Sequence, residues 1–145
     1  MATQSPATTV HASCVGLDGK ALLIRGASGT GKSSLALQLI ALGAGLIADD
    51  RTELHARGGM LHAQCPPAIK GLIEARGVAI LRLPVAQAAP VTLVVDMDKT
   101  ETARLPDPHQ TTIFGITLPC LWHAPSSHFA AAVLHCLRHG ISHDV

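Results

Sequence analysis

A short run near the start of the chain combines glycine, lysine and hydroxyl side chains in a pattern suited to phosphate binding. Residues 26–33 read Gly-Ala-Ser-Gly-Thr-Gly-Lys-Ser and fit the P-loop pattern G-x-x-x-x-G-K-S. Glycine lets successive backbone N–H groups turn toward one anion, and the positive end of a following helix adds to the attraction. Lys32 is placed to reach the terminal phosphates of a nucleotide, and Ser33 to ligate Mg²⁺. The predicted binding residues are Gly26, Ala27, Ser28, Gly29, Thr30, Gly31, Lys32 and Ser33.

Two pairs of carboxylates are candidates for the rest of a phosphoryl-transfer site. Asp49 and Asp50 follow one apolar run that is typical of a buried strand, and Asp96 and Asp98 follow another. Phosphoryl transfer to a hydroxyl needs a group near the metal and a group that accepts the hydroxyl proton. Spacing alone does not choose between the pairs. A solvated turn is the alternative interpretation of Asp49 and Asp50 with the arginine that follows them.

A P-loop needs a strand before it and a helix after it, and the sequence predicts both. Two strand-like runs flank Asp18-Gly19, a dipeptide typical of tight hairpins because glycine adopts positive φ easily. After Lys32, apolar residues recur at helical spacing until Gly43, which is expected to end the helix. Residues 46–50 then predict a buried strand that ends in the first acidic pair.

The rest of the chain predicts further strands and helices around this unit. Gly58-Gly59 separates two strand-like runs and indicates a second hairpin. Ser126 or Ser127 is the expected N-cap of the last helix, and Gly140 its stop. The remaining expected elements are strands at 52–57, 60–65, 78–83, 91–95, 111–118 and 120–122, helices at 68–76 and 127–139, and a polar loop at 96–110.

The composition indicates a folded domain and argues against nucleic-acid partners. Hydrophobic residues make up 48% of the chain and charged residues 14%, which is far from the signature of disorder. At 145 residues, we expect one domain at 9–140, a loose leader at 1–8 and a tail at 141–145. The net charge of +1 and the scarcity of aromatic residues argue against binding to nucleic acid.

The sequence shows no membrane segment and no export signal. The longest uncharged apolar stretch, residues 35–48, is shorter than the roughly 18 residues that a membrane span needs. The N-terminal residues lack the apolar core of a signal peptide. We therefore expect a cytoplasmic protein without a membrane partner.

The cysteines and the C-terminal histidines match no metal motif. The four cysteines are far apart, which favours reduced, mostly buried thiols over a disulfide framework. His135, His139 and His143 recur every four residues, as ligands on one helix face would. Because Gly140 is expected to stop the helix, a solvated helix end with histidines near its negative pole is the preferred interpretation.

The P-loop and the motifs around it resemble the catalytic domain of bacterial HPr kinase/phosphorylase. The matching motifs are Val10-His11-Ala12, Leu46-Ile47-Ala48-Asp49-Asp50-Arg51 and Leu72-Ile73-Glu74-Ala75-Arg76-Gly77. The resemblance implies an α/β fold with a P-loop, a mixed β-sheet and flanking helices, similar to phosphoenolpyruvate carboxykinase. It also implies an enzyme that uses ATP and Mg²⁺ to phosphorylate a serine on an HPr-like phosphocarrier of the sugar phosphotransferase system. Many members of the family also catalyse the reverse phosphorolysis.

The resemblance further implies a role for individual residues. Lys32 would contact the phosphates, and Asp50 would accept the seryl proton in the forward reaction and donate it in reverse. His11 and Arg104 would be active-site residues. The catalytic residues implied are His11, Lys32, Asp50 and Arg104, and the metal ligands implied are Ser33, Asp49 and Glu74.

The chain departs from the family pattern in ways that leave its exact activity open. Residues 119–125 lack the lysine and threonine of the stretch that the family links to dephosphorylation, so reverse phosphorolysis is an open question. Residues 84–90 are shorter than the mobile loop usually found there, and formation of a homo-oligomer is also open. Two alternatives remain: a kinase for a small metabolite on the same scaffold, and a nucleotide-sensing regulatory module without transfer.

Overall fold

The computed structural model describes residues 6–142, in which most of the regular structure is β-strand. The strands are β1 Thr8–Val10, β2 Ala12–Leu17, β3 Lys20–Arg25, β4 Gly45–Ala48, β5 Thr52–Arg57, β6 Met60–Gln64, β7 Leu72–Ala75, β8 Ala79–Arg82, β9 Ala89–Thr100, β10 His109–Ile113 and β11 Ile116–His123. The helices are α1 Lys32–Ala41 and α2 Phe129–His139, and Pro67–Ile69 form a short 3₁₀ turn.

The main sheet is mixed, and its strand directions bring several strand ends together. Its order is β1-β5-β6-β9-β3-β2-β4, and the β10–β11 hairpin joins it through β11 beside β9. β3 runs parallel to β9, and β9 runs parallel to β11. β2 is antiparallel to both β3 and β4, so β4 runs in the same direction as β3. The carboxyl ends of β3, β4, β9 and β11 and the amino end of β2 therefore meet at one edge, which we call the P-loop edge.

Alternate side chains of the central strands enter two cores on opposite faces of the sheet, as the two-residue period of a strand requires. On one face, Leu22 and Ile24 pack with Leu39 of α1 and Leu134 of α2. On the other face, Cys14, Leu23 and Val94 pack with Leu54 and Leu61 of the β5–β6 hairpin. Burial on both faces fixes the register of β2 and β3, since a slip by one residue would exchange the two sets of side chains.

The two hairpins predicted from glycine-containing turns are confirmed. Asp18 and Gly19 join β2 to β3 with φ values of 53° and 74°. Gly58 and Gly59 join β5 to β6 with φ values of 59° and 75°. Positive φ at both central residues is the geometry that matches the twist of the flanking strands. The predicted mixed sheet with flanking helices is confirmed as well.

The helix predicted at 68–76 is wrong, because these residues form β7 after the 3₁₀ turn. β7 pairs only with β8 in the described part of the chain, as a separate two-stranded sheet. Ile73 and Ala75 are buried while Glu74 between them is exposed, which is the alternation of a strand. Gly71, with φ of 79°, separates the 3₁₀ turn from the strand. Gly77, with φ of 82°, lies in the β7–β8 turn.

Other predicted boundaries also differ from the structure. The strand predicted at 111–118 is interrupted by a turn at Phe114 and Gly115, which joins β10 to β11. The expected polar loop at 96–110 begins later, because β9 continues to Thr100. The N-cap of α2 is His128 and not a serine, and no side chain caps this end. Strand β1 begins at Thr8, inside the stretch expected to be a loose leader.

The end of α2 agrees with the prediction. Gly140 is its C-cap, with φ of 81°. His135 and His139 stack with their ring centroids 6.0 Å apart on the exposed face of the helix, while His143 lies outside the described residues. Among residues 6–142, the helices are too short or too polar to cross a membrane.

Candidate active site

The P-loop connects β3 to α1 and takes a shape that its glycines make accessible. Gly26, Gly29 and Gly31 have φ values of 149°, 85° and 97°, which side chains other than glycine rarely allow. A Cβ atom on Gly26 would lie 2.8 Å from Thr30 Oγ1 and 3.0 Å from Met97 Cβ, so a larger residue does not fit there. The first turn of α1 carries no acidic residue, so its positive end is not neutralised from within the helix.

Lys32 is the cation of the loop and is held inside its curve. The side chain is only 6% exposed. Its Nζ atom donates hydrogen bonds to the carbonyl oxygens of Gly26 at 2.8 Å and Ala27 at 3.1 Å. The ammonium group and the start of α1 together make this loop an attractive place for an anion.

The second acidic pair braces the first half of the P-loop. Asp98 Oδ1 accepts a hydrogen bond from the Ala27 N–H at 2.9 Å, and Asp96 Oδ1 accepts one from the Asp98 N–H at 2.9 Å. Asp96 Oδ2 also lies 3.5 Å from the Arg25 guanidinium, which donates to Thr111 Oγ1 at 2.8 Å. These contacts engage Asp96 and Asp98 with the base of the loop, and neither residue lines the cavity that contains Ser33.

Asp49 joins the P-loop to β2 and β7. Its carboxylate is buried, with the residue 8% exposed. Oδ1 accepts hydrogen bonds from Ser33 Oγ at 2.6 Å and Ser13 Oγ at 2.8 Å, and Oδ2 accepts one from the Glu74 N–H at 3.2 Å. The structure thus brings together Ser33 and Asp49, two of the three predicted metal ligands.

Asp50 faces the solvent beside this buried carboxylate, in an unusual backbone conformation. Its φ is 67°, and the Arg51 N–H donates to the Asp49 carbonyl at 2.7 Å, which closes a three-residue turn centred on Asp50. A turn of this kind with positive φ is strained, and such strain concentrates at functional sites. His11 Nε2 lies 2.5 Å from Asp50 Oδ1, within hydrogen-bonding distance, so two of the predicted catalytic residues form a pair.

One cavity of about 900 Å³ contains most of these groups. Its lining includes His11, Ser28, Gly29, Gly31, Lys32, Ser33, Asp49, Asp50 and Glu74. Arg76 and Val78 of the β7–β8 hairpin form part of the same wall. A second cavity of about 600 Å³ lies beside Lys70 and Arg82 and contains none of the predicted site residues.

The residues around Asp49 fit a magnesium ion in the chemistry of their donors. Mg²⁺ prefers oxygen ligands and is usually held by one or two carboxylates together with substrate phosphates and water. Ser33 Oγ and Asp49 Oδ1 supply such oxygens 2.6 Å apart beside the loop, and Glu74 lines the same cavity. Within residues 6–142, no group of three histidine, cysteine or acidic side chains forms a metal cage.

Arg104 is the one predicted catalytic residue that the structure places away from the cavity. It is exposed in the loop after β9 and is not part of the cavity wall. Sequence reasoning, in turn, missed Ser13, which contacts both Asp49 and Asp50. The available signal was its place in the chain, because Ser13 lies near the start of β2 and only two residues after the predicted catalytic His11.

The cysteines are free thiols, as the sequence predicts. Burial raises the pKa of Cys14 far above its usual range. Burial also raises the pKa of Cys65, Cys120 and Cys136. A thiol with a raised pKa is a poor nucleophile, and none of these four cysteines lines the cavity that contains His11, Lys32 and Asp50.

The fold and the site together define a P-loop, kinase-like α/β domain. The chain belongs to the family described as the HPr Serine kinase C-terminal domain, whose model matches residues 2–119. The resemblance found in the sequence is thereby confirmed.

Known relatives and a solved structure agree with this membership. The HPr kinase/phosphorylase of Nitrosomonas europaea is 39% identical over 104 residues, which is 66% of this chain and 32% of the relative. That of Brevibacillus brevis is 36% identical over 108 residues, or 73% of this chain and 35% of the relative. The Hpr(Ser) kinase/phosphatase from Coxiella burnetii has a similar structure, with a TM-score of 0.75 at 25% identity over 90% of this chain and 94% of the other. The chain thus spans about a third of the length of these curated relatives.

Proposed function

We propose that this chain is an ATP- and Mg²⁺-dependent protein kinase that phosphorylates a serine of an HPr-like phosphocarrier. The observation that carries the proposal is the arrangement of two neighbouring carboxylates at one P-loop. Asp49 contacts the P-loop hydroxyl of Ser33, while Asp50 faces the solvent with His11. The names of the relatives, which contain HPr and serine, support the choice of acceptor.

The P-loop side of the cavity binds the nucleotide in this proposal. Lys32 leaves the carbonyl oxygens of Gly26 and Ala27 and contacts the terminal phosphates, which are stronger acceptors because they are charged. Ser33 and Asp49 would hold Mg²⁺, with Glu74 near them as a further oxygen ligand. The metal ion, when bound, neutralises charge on the phosphates during transfer.

The Asp50 side of the cavity performs the proton transfer. The Asp50 carboxylate accepts the proton of the acceptor serine, the serine oxygen forms a bond to the γ-phosphorus, and the bond from that phosphorus to the β–γ bridging oxygen breaks. The products are phosphoserine and ADP, and the proton on Asp50 passes to water. His11 contacts Asp50 and holds its carboxylate toward the acceptor.

We also propose that Arg104 takes part in phosphoryl transfer, which requires its loop to move toward the P-loop. The loop at 101–108 begins at Glu101, whose carboxylate lies 2.7 Å from His109 Nε2. From this anchored base, the exposed Arg104 side chain would have to move toward the P-loop to contact the phosphates.

Several broader features belong to the same proposal. A single kinase domain, predicted at 9–140 and extended to Thr8 by strand β1, acts in the cytoplasm in this proposal. The reverse phosphorolysis and assembly into a homo-oligomer remain predictions to test with inorganic phosphate and with sedimentation analysis.

The direct test is transfer from labelled ATP to purified HPr-type proteins in the presence of Mg²⁺. We expect label on a serine of the acceptor, identified by mass spectrometry, and no label with the Asp50→Asn variant. Absence of phosphoserine on every HPr-type protein, despite ATP binding, would contradict the proposal. ATP turnover stimulated by a metabolite would then indicate a small-molecule kinase, and binding without turnover would indicate a nucleotide sensor.

A further inference from the structure

Ser13 connects the two neighbouring carboxylates of the site. It lies on β2, at the P-loop edge, and is 0% exposed. Its Oγ atom donates a hydrogen bond to Asp49 Oδ1 at 2.8 Å and accepts one from the Asp50 N–H at 3.2 Å. A hydroxyl group carries one donor hydrogen and two acceptor lone pairs, so it makes both bonds at once.

We propose that Ser13 is a positioning residue that fixes the carboxylate of Asp49 relative to the backbone of Asp50. The proposal rests on the function proposed above, in which Asp49 holds the metal and Asp50 accepts the seryl proton. Ser13 itself is buried behind both residues and acts through them.

The Asp50 side of this contact holds a strained turn. The φ of 67° places Asp50 in a region that few residues other than glycine adopt. Ser13 Oγ supplies the acceptor for the Asp50 N–H, and the Ala12 N–H donates to the Asp50 carbonyl at 3.1 Å. Residues of β2 therefore hydrogen-bond to both the N–H and the carbonyl of Asp50, and these tertiary contacts stabilise the strained turn.

The Asp49 side of the contact sets the direction of the metal-side carboxylate. Ser13 of β2 and Ser33 of α1 both donate hydrogen bonds to Oδ1 of Asp49. Without the Ser13 hydroxyl, Oδ1 keeps only the Ser33 donor, and the longer bond from the Glu74 N–H to Oδ2 is the other hydrogen bond that still orients the carboxylate. Groups that orient metal ligands from behind typically change metal affinity by about 10–100-fold when they are removed.

The test compares Ser13→Ala with Thr52→Val as a matched control. Thr52 is also 0% exposed, and its hydroxyl donates to the Ala12 carbonyl at 2.9 Å on the same strand. Each variant removes one buried hydroxyl next to the turn, but Thr52 contacts neither carboxylate side chain. A loss of stability that is common to both variants therefore reflects the loss of a buried hydroxyl. A difference between them in Mg²⁺ dependence or in exchange of the Asp50 amide reflects the positioning role of Ser13.

The first readout is a Mg²⁺ titration of the binding of a fluorescent ATP analogue. We expect Ser13→Ala to raise the half-saturating Mg²⁺ concentration about 10-fold, with binding in EDTA unchanged. Thr52→Val is expected to match the wild type. If the wild type responds to Mg²⁺ and Ser13→Ala responds equally, the inference is overturned.

The second readout is hydrogen exchange at the Asp50 amide in the nucleotide-free protein. We expect about 10-fold faster exchange in Ser13→Ala and no change in Thr52→Val, because only the first variant removes the acceptor of that N–H. An equally protected Asp50 amide in Ser13→Ala would overturn the inference. A wild type that ignores Mg²⁺ would count against the proposed function instead, while the exchange measurement would still decide the role of Ser13.

Discussion

The Nε2 atom of His11 lies 2.5 Å from Oδ1 of Asp50, although 39 positions separate the two residues in the chain. They meet because the amino end of β2 and the carboxyl end of β4 lie at the same edge of the sheet. The two side chains are 49% and 57% exposed, which leaves them open to a hydroxyl on another molecule. The exposed pair is therefore distinct from the neighbouring Asp49, which is buried.

Asp50→Asn is expected to abolish most of the transfer and leave the fold intact. Asparagine keeps the size of the side chain and tolerates positive φ, but it does not accept the seryl proton. We expect the transfer rate to fall about 10²–10⁴-fold, with nucleotide binding and the midpoint of thermal unfolding nearly unchanged. Single-turnover transfer and thermal scans measure the two quantities. A transfer rate within about threefold of the wild-type rate would contradict the proposed role of Asp50 as proton acceptor.

A double-mutant cycle tests whether His11 acts through Asp50. We expect His11→Gln alone to slow the transfer about 10-fold or more, because the Asp50 carboxylate loses its partner. In the Asp50→Asn background, the same substitution is expected to have almost no further effect, since residues that work as a unit are not additive. The four transfer rates decide the matter. Effects that simply multiply would mean that the two residues act independently.

Gly26→Ala is expected to destabilise the P-loop more than Gly29→Ala does. A Cβ atom at Gly26 meets Thr30 and Met97, whereas one at Gly29 finds nothing within 4 Å. Both residues have positive φ, at 149° and 85°, so each alanine adds backbone strain, and only the one at position 26 also meets crowding. We expect Gly26→Ala to lower the free energy of unfolding by about 2–4 kcal/mol and Gly29→Ala by about 1–2 kcal/mol. Urea unfolding measures both values, and equal losses would contradict the crowding argument.

Glu101 is expected to make the protein less stable in acid. The hydrogen bond from His109 and those from the backbone of Ala103 and Thr102 hold the pKa of Glu101 below its ordinary value of 4.5. Because the folded state binds this proton more weakly than the unfolded state, the stabilisation is present above pH 4.5 and is lost as the pH falls through the folded value.

The measurement is the free energy of unfolding as a function of pH, for the wild type and for Glu101→Gln. We expect the wild type to lose stability more steeply below pH 4.5, and the two curves to run parallel at higher pH. Parallel curves over the whole range would show that Glu101 has the same proton affinity in both states.

The predictions from sequence succeeded where local chemistry decides the structure. The turn at Asp18 and Gly19 was predictable because positive φ is a property of those residues themselves. The helix at 68–76 was a wrong prediction because Ile69, Leu72 and Ile73 fit helical spacing, but so short a run also fits the two-residue period of a strand. Contact of Ile73 with the core under α1 and pairing with β8 decided in favour of a strand.

The sequence by itself determined the P-loop, since its glycines and Lys32 carry the backbone freedom and the charge that phosphate binding needs. Residue spacing did not choose between the two acidic pairs, whereas the resemblance implied Asp49, and the tertiary structure places Asp49 against Ser33. The sheet order places β4 across β2 from β3, which brings Asp49 to Ser33 and leaves Asp96 to support the loop from β9. Strand order and direction depend on contacts between distant segments, so spacing along the chain does not reveal them.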